Sequence, residues 1–478
     1  MKILEFELFS KYRKIKQNKK FKFKKNDVLC LTGKNGSGKT NLFELIIGIL
    51  NTIMLNDERV HFNLFYFLKI ELKKEEIYIE NNENGLQIYK LDNNEKIILT
   101  NEYLKNNLNI IVYSSAKRTV LSETHYFNIL SKTKNNMEYF EEYFNYFIRE
   151  KLKKCILIHL FLFKYEDLKK VLEGIMEIKE LKKISIEIKS ELKIGLRKEQ
   201  REATKNIFGK TYKELKEGVK VQLDEDDLLY IKDYYKDNEF EFFSLLETLE
   251  RLNFINAFNL DEYEGLFTGI ISEKTEDNYA SMEFFISKIL FEDNILFNYL
   301  SEGELQLLET IGTVLLFQSK EYKKENLYIF DEPTTHLNTG WLAQYITLLK
   351  KVLSLKSSQD SRLESQLIFS THNLDIISDL PMDNLQLIED GEFKPIKEET
   401  FGSSEFKLNK ILFNKDVSVS NNVLNKINEY YEKIEGMTTK EELERIEEEV
   451  EATFGSSPEK YKLLKYIQDK FFRIGDCS

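Results

Sequence analysis

A glycine-rich segment between an apolar run and a helical pattern constrains this fold more than any other feature of the sequence. The apolar run covers residues 27–32, the segment covers residues 33–40 (Gly-Lys-Asn-Gly-Ser-Gly-Lys-Thr), and the helical pattern continues to residue 50. Glycines let a backbone wrap closely around an anion, and the first amides of a helix then point at its oxygens. The segment matches G-x-x-x-x-G-K-S/T and predicts a strand, a phosphate-binding loop and a helix, in that order.

Every residue of this segment, which we call the P-loop, is a candidate nucleotide contact. Lys39 brings a positive charge to the β- and γ-phosphates, and Thr40 offers a hydroxyl ligand to Mg²⁺. The main-chain amides of the other positions are expected to surround the phosphates; these positions are Gly33, Lys34, Asn35, Gly36, Ser37 and Gly38. The P-loop therefore predicts ATP and Mg²⁺ as cofactors.

A second motif, at residues 327–333 (Leu-Tyr-Ile-Phe-Asp-Glu-Pro), ends an apolar strand with two carboxylates. Asp331 is expected to hold the Mg²⁺ shell, and Glu332 is expected to polarise the attacking water. Phosphoryl transfer depends mainly on positioning and electrostatics, so this carboxylate has to point at the water. Many strands end in an acid at a turn, and it is the P-loop earlier in the chain that favours the catalytic interpretation.

Two further segments are candidates for the same site. Residues 300–306 (Leu-Ser-Glu-Gly-Glu-Leu-Gln) open a predicted helix, where Ser301 and Gly303 can form an anion site. An ordinary helix cap has the same pattern and is the alternative. An apolar strand at residues 366–369 leads to His372, which can bind a γ-phosphate or the water, or can be purely structural.

Composition limits the partners of the chain. The net charge of -12 argues against a general nucleic-acid binder, although the Lys/Arg-dense stretch at residues 11–25 allows a local nucleic-acid contact or simply a solvated hairpin. No apolar run has the length of a membrane span, so we expect no membrane association. The chain has three cysteines, whose spacing is not typical of a metal site, and no signal peptide is recognised. Together these features indicate a cytoplasmic protein.

Proline and glycine usage suggests how the chain is divided. All four prolines lie in the last third, and the central part is rich in Leu, Ile, Lys and Glu, which favours helices. The predicted segments are an N-terminal lobe with the P-loop, a helix-rich insertion, a C-terminal lobe and a helical C-terminal subdomain, at residues 1–118, 119–295, 296–398 and 399–478.

In this order the motifs resemble those of the ABC ATPase superfamily, and most closely its RecF/SMC-like branch. The resemblance implies an α/β fold with a mixed sheet, flanking helices, the helix-rich insertion and the helical subdomain. It implies that two copies enclose two ATP molecules, with the signature of one chain closing on the γ-phosphate held by Lys39 of the other. The residues assigned in this way are Ser301, Gly303 and Glu304 in the signature, Asn338 at the end of the D-loop (residues 335–338), and Arg13 in the basic segment before the P-loop.

Residues 300–317 and 331–341 are similar to the defence-associated ATPases of Septu and retron anti-phage systems. This similarity implies an ATPase that senses a signal, forms a dimer or larger assembly, and controls a separate nuclease. A RecF-like DNA-repair ATPase is the alternative. A transporter subunit is disfavoured because Glu302 replaces the usual glycine and because Ser114 and Ser115 stand where the Q-loop glutamine is expected. Asn338 in place of aspartate indicates slow turnover.

Overall fold

The computed structural model describes residues 1–55, 64–115, 145–148, 150–188, 219–244, 246, 284–318, 324–355, 364–414 and 419–475. The chain forms two compact units, Met1–Pro395 and Ile396–Ser478. All four sequence motifs lie in the first unit. Among the described residues, no helix is both long enough and apolar enough to cross a membrane.

The first unit contains the strands and most of the helices. The strands are β1 (Lys2–Leu8), β2 (Lys20–Lys22), β3 (Val28–Thr32), β4 (Tyr66–Leu72), β5 (Glu75–Asn82), β6 (Gly85–Asp92), β7 (Glu95–Ile98), β8 (Leu108–Ser114), β9 (Asn145–Ile148), β10 (Leu181–Ile188), β11 (Val219–Leu223), β12 (Phe284–Phe291), β13 (Glu325–Asp331), β14 (Gln366–Ser370), β15 (Leu385–Glu389) and β16 (Glu392–Lys394). The helices of the first unit are α1 (Lys39–Leu55), α2 (Asn101–Asn107), α3 (Glu150–Phe163), α4 (Tyr165–Leu172), α5 (Glu225–Tyr234), α6 (Glu302–Phe317), α7 (Thr339–Ser354) and α8 (Leu374–Ser378).

A mixed sheet of seven strands forms the centre of the first unit, in the order β16-β15-β3-β14-β13-β8-β9. Adjacent strands of this sheet pair in parallel, except that β15 and β16 form an antiparallel hairpin. Every residue of β3, β8, β13 and β14 is buried, as is typical of parallel strands covered on both faces. The α/β class with a mixed sheet and flanking helices is thereby confirmed. Because β3, β13 and β14 are parallel, the segments that follow them meet at one edge of the sheet.

An antiparallel sheet of six strands, β2-β1-β4-β5-β6-β7, packs its apolar face with α1 in one core. Alternation along β4 buries every second residue, which matches the strand pattern in the sequence. Residues 67–80, along which apolar and polar residues alternate in the sequence, lie in the hairpin of β4 and β5. The turn lies at Lys73 and Lys74, whose φ angles of 52° and 65° are left-handed. Hydrophobic alternation on both sides of this turn concealed it in the sequence.

The described part of the insertion contains strands as well as helices. A three-stranded antiparallel sheet, β11-β10-β12, is present. Another strand, β9, extends the central sheet, and α3 packs on α6. The Lys153 ammonium lies 2.7 Å from the buried Glu309 carboxylate on α6, to which Tyr113 of β8 donates at 3.2 Å. The insertion therefore contributes to the first unit through buried contacts.

The second unit, taken by itself, is helical. Its helices are α9 (Glu405–Phe413), α10 (Asn421–Glu435), α11 (Lys440–Thr453) and α12 (Pro458–Gly475). The last three of them share an apolar core formed by one face of each helix. The helical character predicted for the C-terminal subdomain is confirmed.

Candidate active site

The P-loop joins β3 to α1, as the sequence predicts. Its glycines have the φ angles 149° at Gly33, 76° at Gly36 and 113° at Gly38, a range that other residues rarely adopt. A Cβ atom on Gly33 would lie only 2.2 Å from the carbonyl oxygen of Ile388, on the neighbouring strand β15. Glycine is therefore required here both by backbone conformation and by the close approach of another strand.

Lys39 begins α1 with a buried side chain. Its ammonium donates to the carbonyl oxygen of Gly33 at 2.8 Å and to that of Lys34 at 3.4 Å, so it lies folded over its own loop. Burial lowers the Lys39 pKa, and the nearby carboxylates of Glu332 and Asp331 oppose this shift. Such a cation, beside loop amides and a helix N-terminus, fits a bound phosphate chain.

The end of the loop faces the carboxylate of Asp331, the last residue of β13. The hydroxyl of Thr40 lies 3.2 Å from Asp331 Oδ2, and the hydroxyl of Ser370 donates to Oδ1 at 2.5 Å. Burial raises the Asp331 pKa, whereas hydrogen bonds from Ser370 and Thr40 and the charge of Lys39 lower it. A hydroxyl and a carboxylate facing each other beside a phosphate site are the donors that Mg²⁺ prefers. The residues present thus fit the expected metal, although no group of three or more metal-binding side chains occurs in the described ranges.

Glu332 and His372 form a pair at the same edge of the sheet. The Glu332 φ angle of 51° lies in the left-handed region, which is rare for a residue with a side chain and is often found at functional sites. Its backbone N–H donates to the Ser370 hydroxyl at 3.0 Å, and both of its carboxylate oxygens lie 3.1 Å from His372 Nδ1. The pairing of β13 with β14 therefore brings together two motifs that are far apart in the sequence.

In the signature, Ser301 caps helix α6 reciprocally with Glu304. The Ser301 N–H and hydroxyl donate to Glu304 Oε2 at 2.7 Å and 2.9 Å, and the Glu304 N–H donates back to the hydroxyl at 3.2 Å. This is a capping box, so the ordinary cap that the sequence left open is present. None of the hydrogen bonds found within the described parts of the chain joins Ser301 or Glu304 to the P-loop.

The signature and the D-loop pack against each other. A Cβ atom on Gly303 would lie 2.7 Å from the His336 carbonyl oxygen, and the His336 N–H donates to the Gln306 side chain at 2.7 Å. Asn338 caps helix α7 by accepting a hydrogen bond from the Trp341 N–H at 3.0 Å. Gly303 is thus required for close packing on the D-loop of its own chain. Asn338 stabilises the start of α7 as its N-cap.

In the structure, the side chain of the predicted Arg13 contacts helix α1, and the side chain of the neighbouring Lys14 contacts the P-loop. The Arg13 guanidinium lies 2.9 Å from the Glu44 carboxylate, whereas the Lys14 ammonium donates to the Gly36 carbonyl oxygen at 2.8 Å. Gly391, in the turn between β15 and β16, donates to the Ser37 carbonyl oxygen at 3.0 Å and is pressed against the backbone of Lys14. Lys14 went unnoticed in the sequence because it lies among many lysines, and nothing local distinguishes it from them.

Most of the basic stretch at residues 11–25 is paired with carboxylates. Strands β1 and β2 form a hairpin there, with Phe21 and Phe23 buried in the core. The ion pairs are Lys16 and Lys19 with Glu392, Lys20 with Glu5, Lys24 with Asp383, and Lys25 with Glu71. These contacts favour the hairpin interpretation over a free phosphate-binding surface.

Ser115 lies at the expected place of the Q-loop glutamine. Its N–H donates to the Asp331 carbonyl oxygen at 3.2 Å, and its hydroxyl lies 3.3 Å from that of Thr335 in the D-loop. The Thr335 hydroxyl in turn donates to the Glu332 carbonyl oxygen at 2.9 Å. The sequence gives Ser115 no distinguishing pattern, because these contacts depend on the pairing of β8 with β13.

Comparisons with known proteins give a family match over part of the chain. Residues 186–378 match a family model described as "AAA domain, putative AbiEii toxin, Type IV TA system", and the match includes the signature, the acidic pair and His372. No curated protein matches the chain. Among solved structures, the chain is similar to the SMC head domain from Thermotoga maritima, with 12% identity, a TM-score of 0.32, and coverage of 83% of this chain and 100% of that chain.

The P-loop between β3 and α1 and the acidic pair at the end of β13 define a P-loop nucleotide-binding site. The part of the chain from residue 186 to residue 378 is similar to an AAA domain.

Proposed function

We propose that this chain binds ATP with Mg²⁺ at the P-loop and hydrolyses it. The observation that carries the proposal is the convergence of Lys39, Thr40, Asp331, Glu332 and His372 at one edge of the central sheet. Lys39 and the loop amides bind the phosphates, and Thr40 and Asp331 hold Mg²⁺, which neutralises phosphate charge when bound. Glu332, oriented by His372, accepts the proton of the attacking water.

We further propose that the complete site needs a second copy of the chain. Ser301 is exposed and, in the described parts of one chain, hydrogen-bonds within its own helix end rather than to the P-loop. Gly303 is packed on the D-loop, which begins three residues after Glu332. In an ATP-bound dimer the signature, with Glu304 and Asn338 beside it, would reach the γ-phosphate held by the partner, and Arg13 and Lys14 would approach the nucleotide in their own chain.

Mixing two inactive variants tests this shared site. Lys39→Ala removes the P-loop cation and Ser301→Arg blocks the signature, so each variant alone is expected to lack turnover. In a mixed dimer, one site combines an intact P-loop with an intact signature, and phosphate release is expected to return. Phosphate release is measured over a range of mixing ratios.

The matched control mixes Lys39→Ala with Glu332→Gln. Both residues belong to the same half of a site, so no mixed dimer contains an intact site and no recovery is expected. A rate for the first mixture equal to the sum of its two components would contradict a site shared between chains.

We propose that the biological role is anti-phage defence, in which this ATPase is a cytoplasmic sensor or regulatory subunit that controls a separate nuclease. Support comes from the similarity of residues 300–317 and 331–341 to the ATPases of Septu and retron systems, and from a family model whose description names a toxin of a toxin–antitoxin system. Nucleotide can control an effector when it binds two conformations or assemblies with different affinities.

Phage challenge tests this role in cells that carry the gene with its neighbouring genes. We expect the wild-type chain to lower phage plating efficiency, and we expect Lys39→Ala and Glu332→Gln to abolish this protection. Equal protection by both variants and the wild type would refute an ATP-controlled defence role.

A RecF-like DNA-repair ATPase is the alternative function. It predicts DNA binding that requires ATP and weakens steeply with salt. The ion-paired lysines of residues 11–25 speak against that stretch as the DNA contact. ATP-dependent DNA binding together with an absence of phage protection would favour this alternative.

A further inference from the structure

Ser370 is the last residue of β14 and has no exposed surface. In the parallel pairing of β13 with β14 it lies directly opposite Asp331. The preceding residues of the strand, Leu367, Ile368 and Phe369, are apolar and buried, as expected for a central strand. A hydroxyl at the last position is therefore not explained by packing alone.

One hydroxyl group of Ser370 contacts both members of the acidic pair. It donates to Asp331 Oδ1 at 2.5 Å and accepts the Glu332 N–H at 3.0 Å. The Thr40 hydroxyl lies 3.2 Å from Asp331 Oδ2 and 3.4 Å from Oδ1, so the carboxylate is held between Ser370 and Thr40. The contact with the Glu332 N–H satisfies the backbone of Glu332 in its left-handed conformation.

The residues after Ser370 continue this set of contacts. The Thr371 hydroxyl lies 3.3 Å from that of Thr334, and His372 contacts the Glu332 carboxylate. Three consecutive side chains of one strand end thus contact the segment from Asp331 to Thr334. Of these, Ser370 alone touches both the side chain of Asp331 and the backbone of Glu332 in the described structure.

We infer that Ser370 is a positioning residue for ATP hydrolysis, which orients the metal-binding carboxylate of Asp331 and the catalytic carboxylate of Glu332 at the same time. This inference rests on the proposed function. Ser370 itself does not contact the nucleotide or the metal. It acts by holding the orientation of the Asp331 carboxylate beside Thr40 and by holding the backbone from which the Glu332 side chain projects. Removing such supporting hydrogen bonds typically costs about 10–100-fold in metal affinity or activity.

The test compares Ser370→Ala with Ser370→Thr, which retains the hydroxyl, and with Ser370→Cys, which retains the size but bonds weakly. Ser365→Ala is the matched control, because Ser365 is also largely buried but lies just before the first residue of β14, away from the acidic pair. We measure kcat, the Mg²⁺ concentration for half-maximal phosphate release, ATP binding in EDTA by calorimetry, and thermal unfolding.

For Ser370→Ala we expect kcat to fall about 10–100-fold and the Mg²⁺ requirement to rise, with ATP binding in EDTA unchanged. Ser370→Thr is expected to recover most of the activity, and Ser365→Ala to behave like the wild type. The added methyl group could prevent Ser370→Thr from folding. In that case, an equal loss of kcat in Ser370→Cys and Ser370→Ala supports the inference, because cysteine fills the space but forms only weak hydrogen bonds.

Two failures are distinguishable in this experiment. A wild-type chain without Mg²⁺-dependent phosphate release would overturn the proposed function, and the inference with it. An active wild type together with a Ser370→Ala variant of equal kcat and equal Mg²⁺ requirement would overturn the positioning role alone. A lower unfolding temperature with both kinetic constants unchanged would likewise assign Ser370 a purely structural role.

Discussion

Lys39→Ala is expected to weaken ATP binding by about 30-fold to 5,000-fold, which corresponds to the roughly 2–5 kcal/mol typical of removing one partner from a buried charge pair. The Lys39 ammonium is the cation that lies buried inside the loop, where it donates to the carbonyl oxygens of Gly33 and Lys34. Without it, the carboxylates of Asp331 and Glu332 face the phosphates with less opposing charge. We expect turnover to become undetectable, and calorimetry together with phosphate release measures both effects.

The control for this prediction is Lys232→Ala. Lys232 is exposed on α5 in the insertion, so its removal changes the net charge equally without touching the loop. Wild-type ATP affinity in Lys39→Ala would show that phosphate recognition rests on the loop amides alone, and it would remove the main support for the proposed site.

Glu332→Gln is expected to lower turnover by about 10²–10⁴-fold, the usual contribution of a general base, while ATP binding is retained. Glutamine preserves the size of the side chain and can keep one contact with His372, but it cannot accept the proton of the attacking water. ATP should therefore persist in the site, and the dimer enclosing it should accumulate. Phosphate release and the molar mass measured by light scattering, with and without ATP, check the two consequences.

Glu76→Gln is the matched control, because Glu76 is an exposed residue of β5 whose carboxylate pairs with Lys69 at the surface. It is expected to match the wild type in both measurements. Wild-type turnover in Glu332→Gln would exclude Glu332 as the base. Loss of turnover without an ATP-dependent increase in mass would argue against the dimer.

Local patterns in the sequence were sufficient for much of the fold and of the site. The P-loop spacing correctly predicts the strand, loop and helix from Val28 to Leu55, because glycine conformation and helix periodicity are properties of neighbouring residues. The apolar run before Asp331 predicts its strand for the same reason. The turn at Lys73 and Lys74 has no such local signal, because lysine is not a residue that favours left-handed turns.

The sequence by itself determined which groups form the candidate site: a phosphate-binding loop, two carboxylates and a histidine, each at or just after the end of a strand. Only the tertiary structure decided which neighbours support them. The contacts of Ser370 and Ser115 depend on which strands pair and in what register. In the sequence, long segments separate these residues from their partners. The path of the folded chain also decides that Lys14 contacts Gly36 of the P-loop, whereas Arg13 contacts Glu44. Hydrogen bonds of this kind require atoms within about 3.5 Å, so they follow from strand register and loop path rather than from local composition.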